Sequence, residues 1–515
     1  MRGFRVAVPL AYLVVLGVAS ALLADLAWTT VTSYRSGYAL DRKFKAGPAI
    51  TNRLLVAVID GLRTDRSAAL PMFSSLAERG ASGVVEVGLP SLSSPARASL
   101  VTGAMPEVSG VTNNSSYGPP PVQSLYGLAR EAGMATAVYG TRFWSRAFGD
   151  LIDSYRPPGG RPASYGSDDL VAWQSQSCGE AEEFLGSSDA ALRVVGLLAG
   201  DDAGHTHGGE SGAYREVTAA VDACLGRLVD AVGPETTVVA VSDHGHIHRW
   251  GNGGHGGQEP EVIFAPFAMA GPGIRVSGPI EARIVDIAPT ASVLLGLPIP
   301  ANSQGRVLWE ALELPEGAEA GLRELAEVQR EALAGHMPDR DESLAAERSG
   351  RVPVVAAAGA WFLGMAVIAV YGQRPVTMAA GLAAFFVGYY VLFYLFQLGY
   401  SLSSIVREEF MYWFFARNIS AAALALVAAA ACARRFGDLP RGFVLRLSVL
   451  VTSVLALFVT VTHFRFGLIM EGWMIEVGPG FKAYLDLLAI LGVAVGTPVA
   501  LALDRARRRR EALRL

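Results

Sequence analysis

Apolar and polar positions are spaced differently in three parts of this chain. Val6 to Leu23 is a nearly unbroken apolar run behind Met1-Arg2-Gly3-Phe4-Arg5. At about 1.5 Å per residue it is long enough for a membrane helix. Ala19-Ser20-Ala21 has the small residues of a signal-peptide cleavage site, so a removed leader is the other reading; the length of the run favours a retained anchor. From residue 30 to about 315, short apolar runs alternate with helix-like stretches, the pattern of a wound α/β domain. Residues 316–350, rich in Glu, Arg and Ala, predict one or two exposed helices leading back to the membrane. Five further apolar spans follow at about 353–371, 376–398, 419–433, 443–463 and 483–503.

Hydrophobic residues make up 51% of the 515, too many for a wholly soluble protein. A net charge of −4 points away from a nucleic-acid partner. Six spans put both termini on one side. The segments on that side carry Arg2, Arg5, Arg374, Arg434, Arg435, Arg441, Arg446, Arg505, Arg507, Arg508, Arg509, Arg510 and Arg514; the short opposite loops carry only Arg407, Arg417, Arg465 and Lys482. This asymmetry predicts a multi-pass protein of the cell membrane with cytoplasmic termini and an extracytoplasmic 30–350 region. Omitting the short 419–433 span would destroy the balance. The expected units are an anchor (1–29), a catalytic domain (30–315), a helical linker (316–350) and a membrane region (351–515). Three cysteines make no disulfide framework, although Cys178 and Cys224 are available to pair if exported; Cys432 reads as a packed thiol. Asp25, Asp486 and His463 lie near span ends and read as interfacial.

Six of the eight histidines fall between His205 and His255, beside aspartates that close apolar runs. Asp60 follows Leu54–Ile59, Asp201 and His205 follow Val194–Leu198, and Asp243-His244-Gly245 follows Thr236–Val241. Gly253-Gly254-His255-Gly256 completes the set. Imidazole and carboxylate together suit Zn²⁺ or a similar divalent ion. Parallel strands would gather these residues at their carboxyl edge. Singly, each histidine also fits a polar loop. His207, His246 and His248 are read that way, with outer-sphere or cleft-rim roles as the alternative. In Leu92-Ser93-Ser94-Pro95-Ala96-Arg97, Pro95 suits the first helical position, Ser94 the N-cap, and Gly103 the helix end. Ser93 then stands just before a helix amino terminus, where an anion or alkoxide is favoured. Arg142 and Trp144 fit either a pocket lining or a surface arginine and a packed aromatic.

Asp60, Ser93, Asp201-x-x-x-His205, Asp243-His244-Gly245 and His255-Gly256, in this order within about residues 52–310, resemble the alkaline phosphatase superfamily. The similarity is to its branch of type I phosphodiesterases and nucleotide pyrophosphatases, which includes the glycosylphosphatidylinositol ethanolamine-phosphate transferases. The resemblance implies an α/β fold, an alkaline-phosphatase-like wound sheet with helices on both faces, here beside one N-terminal and about five C-terminal transmembrane helices. It implies two divalent metal ions, Zn²⁺ with Mn²⁺ as the alternative. Asp60, Ser93, Asp243 and His244 would hold one; Asp201, His205 and His255 would hold the second. Ser93 would be the nucleophile. Asn114, with Asn113 as runner-up, would steady a phosphoryl oxygen, and Ile284–Thr290 resembles the family's closing helix segment.

Two features depart from that pattern. Serine stands where the branch usually has threonine. Ser93-x-Pro95-x-Arg97 with Leu100-x-Thr102-Gly103 also resembles the sulfatase signature, whose leading residue is oxidised to formylglycine. The single acid in Ile59-Asp60-Gly61, where sulfatases usually carry a doublet, and the second metal set favour phosphoryl transfer. The expectation is a membrane-anchored, two-metal enzyme acting on a phosphodiester or phospholipid-type substrate beside the lipid bilayer, as a phosphoethanolamine-type transferase or a phosphodiesterase. Five trailing helices suggest a lipid-linked donor or acceptor, since a soluble substrate needs only one anchor. A sulfatase, and a non-catalytic membrane protein that keeps the fold for binding, are the alternatives.

Overall fold

In the computed structural model, residues 4–115, 118–247, 254–337, 340–396, 408–439, 442–466 and 477–512 are described. His248, Arg407 and Arg441 lie outside them.

Eight strands form one sheet in the order β4-β3-β5-β1-β6-β7-β2-β8. The central strands are β1 (Leu54–Ile59), β5 (Leu192–Leu197) and β6 (Thr237–Ser242), and β1 runs parallel to both neighbours. β3 (Thr136–Tyr139) and β4 (Ser154–Arg156) extend the parallel run on one side. On the other, β7 (Phe264–Ala270) is antiparallel to β6 and to β2 (Ala81–Glu86), and β8 (Ser277–Arg283) is parallel to β2. Only β7 is reversed, so β2 points the same way as β1.

β1 is buried along its whole length, which explains its uninterrupted apolar run. Leu54, Val56 and Val58 pack into one layer with the helices Ser93–Thr102, Leu125–Glu131 and Ile287–Leu295. Leu55, Ala57 and Ile59 face the other layer, against Pro71–Glu78, Ser167–Gly186 and Gly212–Val232. Trp144 is a packed aromatic of the first layer, while Arg142 is exposed.

The Glu319–Ala334 helix lies against this domain: Leu322 joins its core, and the buried Gln329 side chain donates to the carbonyls of Pro300, Ala301 and Ser303. Arg340–Val370 is then one continuous helix into the membrane region. Among the described residues, six helices are long and apolar enough to cross a membrane: Val6–Ala27, Ala345–Val370, Pro375–Phe393, Trp413–Phe436, Phe443–Phe466 and Lys482–Arg507. The fourth belongs to a helix that starts at Glu408, well before residue 419, because Glu408, Glu409, Arg417 and Asn418 interrupt the apolar pattern there. Asp486 is buried in its span and paired with Lys482 at 2.7 Å.

Cys178 and Cys224 form a disulfide between the Ser167–Gly186 and Gly212–Val232 helices, closing a separation of 46 residues. A loop of this size restricts the unfolded chain by about 4 kcal/mol. Cys178→Ala with Cys224→Ala should therefore melt clearly below wild type, and reductant should lower the wild-type midpoint alone; thermal melts of the purified protein check both.

Candidate metal centre

The side-by-side, parallel arrangement of β5, β1 and β6 brings their carboxyl ends to one edge. Asp60 leaves β1 there, and Asp243 and His244 leave β6. β5 runs into the Ala199–His207 helix, which carries Asp201 and His205 four residues apart on one face. Ser93 opens the helix that follows β2, and β2 reaches the same edge because β7 alone is reversed.

Two adjoining clusters result. In the first, donor atoms of Asp60, Asp243 and His244 lie within 4.8 Å of one another, and all three residues are buried. His244 Nε2 is 3.4 Å from Asp60 Oδ1 and 3.8 Å from Asp243 Oδ1, with Ser93 Oγ at 3.1 Å. Arg97, fully enclosed, binds the far oxygens of both acids: its Nη2 pairs with Asp60 Oδ2, and its Nε donates to Asp243 Oδ2 at 2.9 Å. The near oxygens thus remain turned towards His244.

The second cluster surrounds Asp201 Oδ1. His246 Nε2 lies at 2.8 Å, and His205 Nε2 and His255 Nε2 both lie at 3.4 Å. His205 and His255 approach to 3.1 Å through Nε2. His255 Nδ1 donates to the Ser91 carbonyl at 2.9 Å and His244 Nδ1 to that of Gly245 at 3.1 Å, which orients both rings. The rings of His244 and His255 stack at 3.6 Å and join the two clusters. His205 alone is partly open to solvent, with a third of its side chain exposed.

The electrostatics fit cation ligation. Burial pushes the Asp60 carboxyl up, but the Arg97 guanidinium and His244 together hold the group below its ordinary value. Burial, then the Asp60 charge, pushes Asp243 up. Burial pulls His244 down, yet Asp243 and Asp60 together raise it to about 9. Burial holds His255 well below the usual imidazole range, so it is neutral and its Nε2 lone pair is free to ligate. Asp60 Oδ1 is buried without any hydrogen-bond partner. A buried carboxylate oxygen left bare among imidazoles is what a bound divalent cation would satisfy.

The sequence expectations are met unevenly. Asp60, Ser93, Asp243 and His244 come together, as do Asp201, His205 and His255. Ser94 is not the N-cap: Leu92 occupies that position, Ser93 is already the first helical residue, and the Ser94 N–H donates to Asn114 Oδ1 at 2.8 Å. The helix end is satisfied from outside because Ser93 is turned towards His244. Asn113 is bound into its own turn through Ser115 N–H and Thr112. His207 donates to the Tyr165 carbonyl and stands apart from both clusters. His246, read as a loop histidine, is instead completely buried among the donors. The role of Arg97 was also not read from the sequence, where it figured only in a sulfatase-like pattern. The signal for His246 was its position two residues beyond His244 on the same turn.

Fold and site together define an α/β domain with two adjoining clusters of donors able to hold metal ions at the carboxyl edge of its sheet. Residues 54–249 match the family described as type I phosphodiesterase / nucleotide pyrophosphatase. The human "GPI ethanolamine phosphate transferase 2, catalytic subunit" is 23% identical over 286 residues, which is 52% of this chain and 28% of that protein. The "2,3-bisphosphoglycerate-independent phosphoglycerate mutase" of Synechococcus elongatus is 34% identical over 139 residues, 25% of this chain and 26% of that protein. The chain therefore spans only about a quarter of the length of these relatives. Among solved structures, murine ectonucleotide pyrophosphatase / phosphodiesterase 5 aligns with a TM-score of 0.40 and 15% identity, covering 48% of this chain and 96% of that one.

Two outcomes follow from the charge balance. Removing Arg97 leaves two buried carboxylates facing each other, a loss of about 3–5 kcal/mol in the metal-free protein. Arg97→Ala should therefore gain more in melting temperature on zinc addition than wild type does, as thermal melts with and without zinc will report. Ligation also requires His244 to give up the proton it holds below about 9. Zinc affinity should rise with pH up to that value, measured by competition with a chelator across the range.

Proposed function

We propose that this chain is a membrane-bound, two-metal phosphoryl-transfer enzyme that uses Ser93 on phosphodiester substrates, as a phosphoethanolamine-type transferase or a phosphodiesterase. The observation that carries this reading is the Ser93 hydroxyl, 3.1 Å from His244 Nε2 beside the near oxygens of Asp60 and Asp243. Asp60, Asp243 and His244 would hold one cation with Ser93, and Asp201, His205 and His255 the other; the donors suit Zn²⁺, with Mn²⁺ as the alternative. Two bound divalent cations would ease loss of the serine proton and neutralise the phosphoryl oxygens. Ser93 Oγ then forms a bond to phosphorus while the bond to the leaving alcohol breaks, and that alcohol takes up a proton. An acceptor hydroxyl or water reverses the displacement, releasing Ser93 and completing transfer or hydrolysis. Arg97 keeps the two acids apart throughout, and the Asn114 amide steadies a phosphoryl oxygen.

Six membrane-length helices put this chemistry beside a bilayer, which supports a lipid-linked donor or acceptor. The basic-residue asymmetry and the Cys178–Cys224 disulfide support an extracytoplasmic catalytic domain with both termini in the cytoplasm. The four units expected from sequence are kept in this proposal.

The sulfatase reading has one specific observation in its favour. Arg97, the arginine of the sulfatase-like pattern, does sit against the site carboxylates.

One experiment separates the two. Full-length protein in detergent is given bis(4-nitrophenyl) phosphate and quenched in acid. Ser93→Ala should lower hydrolysis roughly a hundredfold or more, and wild-type peptides containing residue 93 should carry a phosphate. A residue 93 lighter than serine by two hydrogens, or undiminished activity in Ser93→Ala, would overturn the phosphoserine route.

A further inference from the structure

We infer that His246 is a fourth protein donor to the second metal, beside Asp201, His205 and His255. This rests on the two-metal reading and adds a ligand to it. Metal–donor bonds of about 2.0–2.1 Å place the corners of a tetrahedron about 3.3 Å apart. The four donor atoms are spaced at 2.8, 3.1, 3.4 and 3.4 Å along the pairs His246–Asp201, His205–His255, His205–Asp201 and His255–Asp201. Donors of Asp201, His246 and His255 also lie within 4.8 Å of one another, in a group that takes in His244 of the first cluster.

The position of this ring is built by three separate segments. A Cβ at Gly204 would lie 2.5 Å from His246 Cδ2, one at Gly61 2.9 Å from the same atom, and one at Gly209 3.1 Å from His246 Cβ. Gly61 has a φ of +74°, and its missing side chain is what lets the ring lie over the β1 terminus. Arg63 fixes the backbone, donating from Nη1 to the His246 carbonyl at 2.8 Å. The ring itself is fully buried, and its Nδ1 has no hydrogen-bond partner among the described residues. An apolar side chain would fill this slot without that cost. The Nε2 atom, aimed at Asp201, is the one feature that accounts for an imidazole here.

A site with four protein donors would hold its metal more tightly than one with three and, with three imidazoles, would select zinc over manganese.

Zinc-loaded full-length protein in detergent allows a direct test by metal analysis and X-ray absorption fine structure. Wild type should hold two zincs with an average of about two imidazoles each, contributed by His205, His244, His246 and His255. His246→Gln and His246→Ala should still hold the first zinc. Their imidazole average should fall to about one and a half, and the second zinc should compete at least about tenfold less well against a chelator. An imidazole average of about one and a half in wild type, or unchanged coordination in a folded His246→Gln, would reduce His246 to a residue that orients Asp201. Wild-type protein that binds no zinc would overturn the two-metal reading itself, and the two failures are thereby told apart.

Discussion

Three carboxylates, Asp60, Asp201 and Asp243, are buried at a single strand edge, and the site depends on how that negative charge is balanced. Charges removed from water must meet compensating charge at close range. Arg97 supplies one fixed positive group and consumes one oxygen from each of two acids. Of the remaining oxygens, Asp243 Oδ1 accepts from the Gly61 N–H and Asp201 Oδ1 meets His246, whereas Asp60 Oδ1 is buried without a hydrogen bond among the described residues. That arrangement is compatible with bound cations at this edge.

The sheet performs the gathering. Residues 60, 201 and 243 are far apart in the chain, yet β5, β1 and β6 are hydrogen-bonded neighbours running in one direction. The single reversed strand, β7, lets β2 join that direction and deliver Ser93. Two packed helical layers exclude water from the strands and leave the carboxyl edge as the face where polar side chains are needed. On the domain's other flank, Gln329 ties the Glu319–Ala334 helix to three carbonyls, and the chain then enters the membrane as one long helix.

Asp201 and His205 were legible because a spacing of four puts both on one helix face, and Asp243-His244 because an acid closing an apolar run lies at a strand's carboxyl end. The membrane helices were legible from length and apolarity, apart from the start at Glu408, which charged residues concealed. The cap at Ser94 was misread because a nearby Asn114 side chain, remote from any local pattern, supplies the hydrogen bond. His246 was misread because nothing in Asp243-His244-Gly245-His246 says which way the second imidazole turns.

By itself the sequence determined the types of donor, the strands that present them and the helices that cross the membrane, because periodicity and local spacing are short-range properties of the chain. Tertiary structure alone decided which donors stand together, that Arg97 bridges the two acids, and that His246 turns inward. Those outcomes depend on space cleared by Gly61, Gly204 and Gly209, three positions brought together only when the strands pack. Close packing is a relation between distant segments, and no local pattern records it.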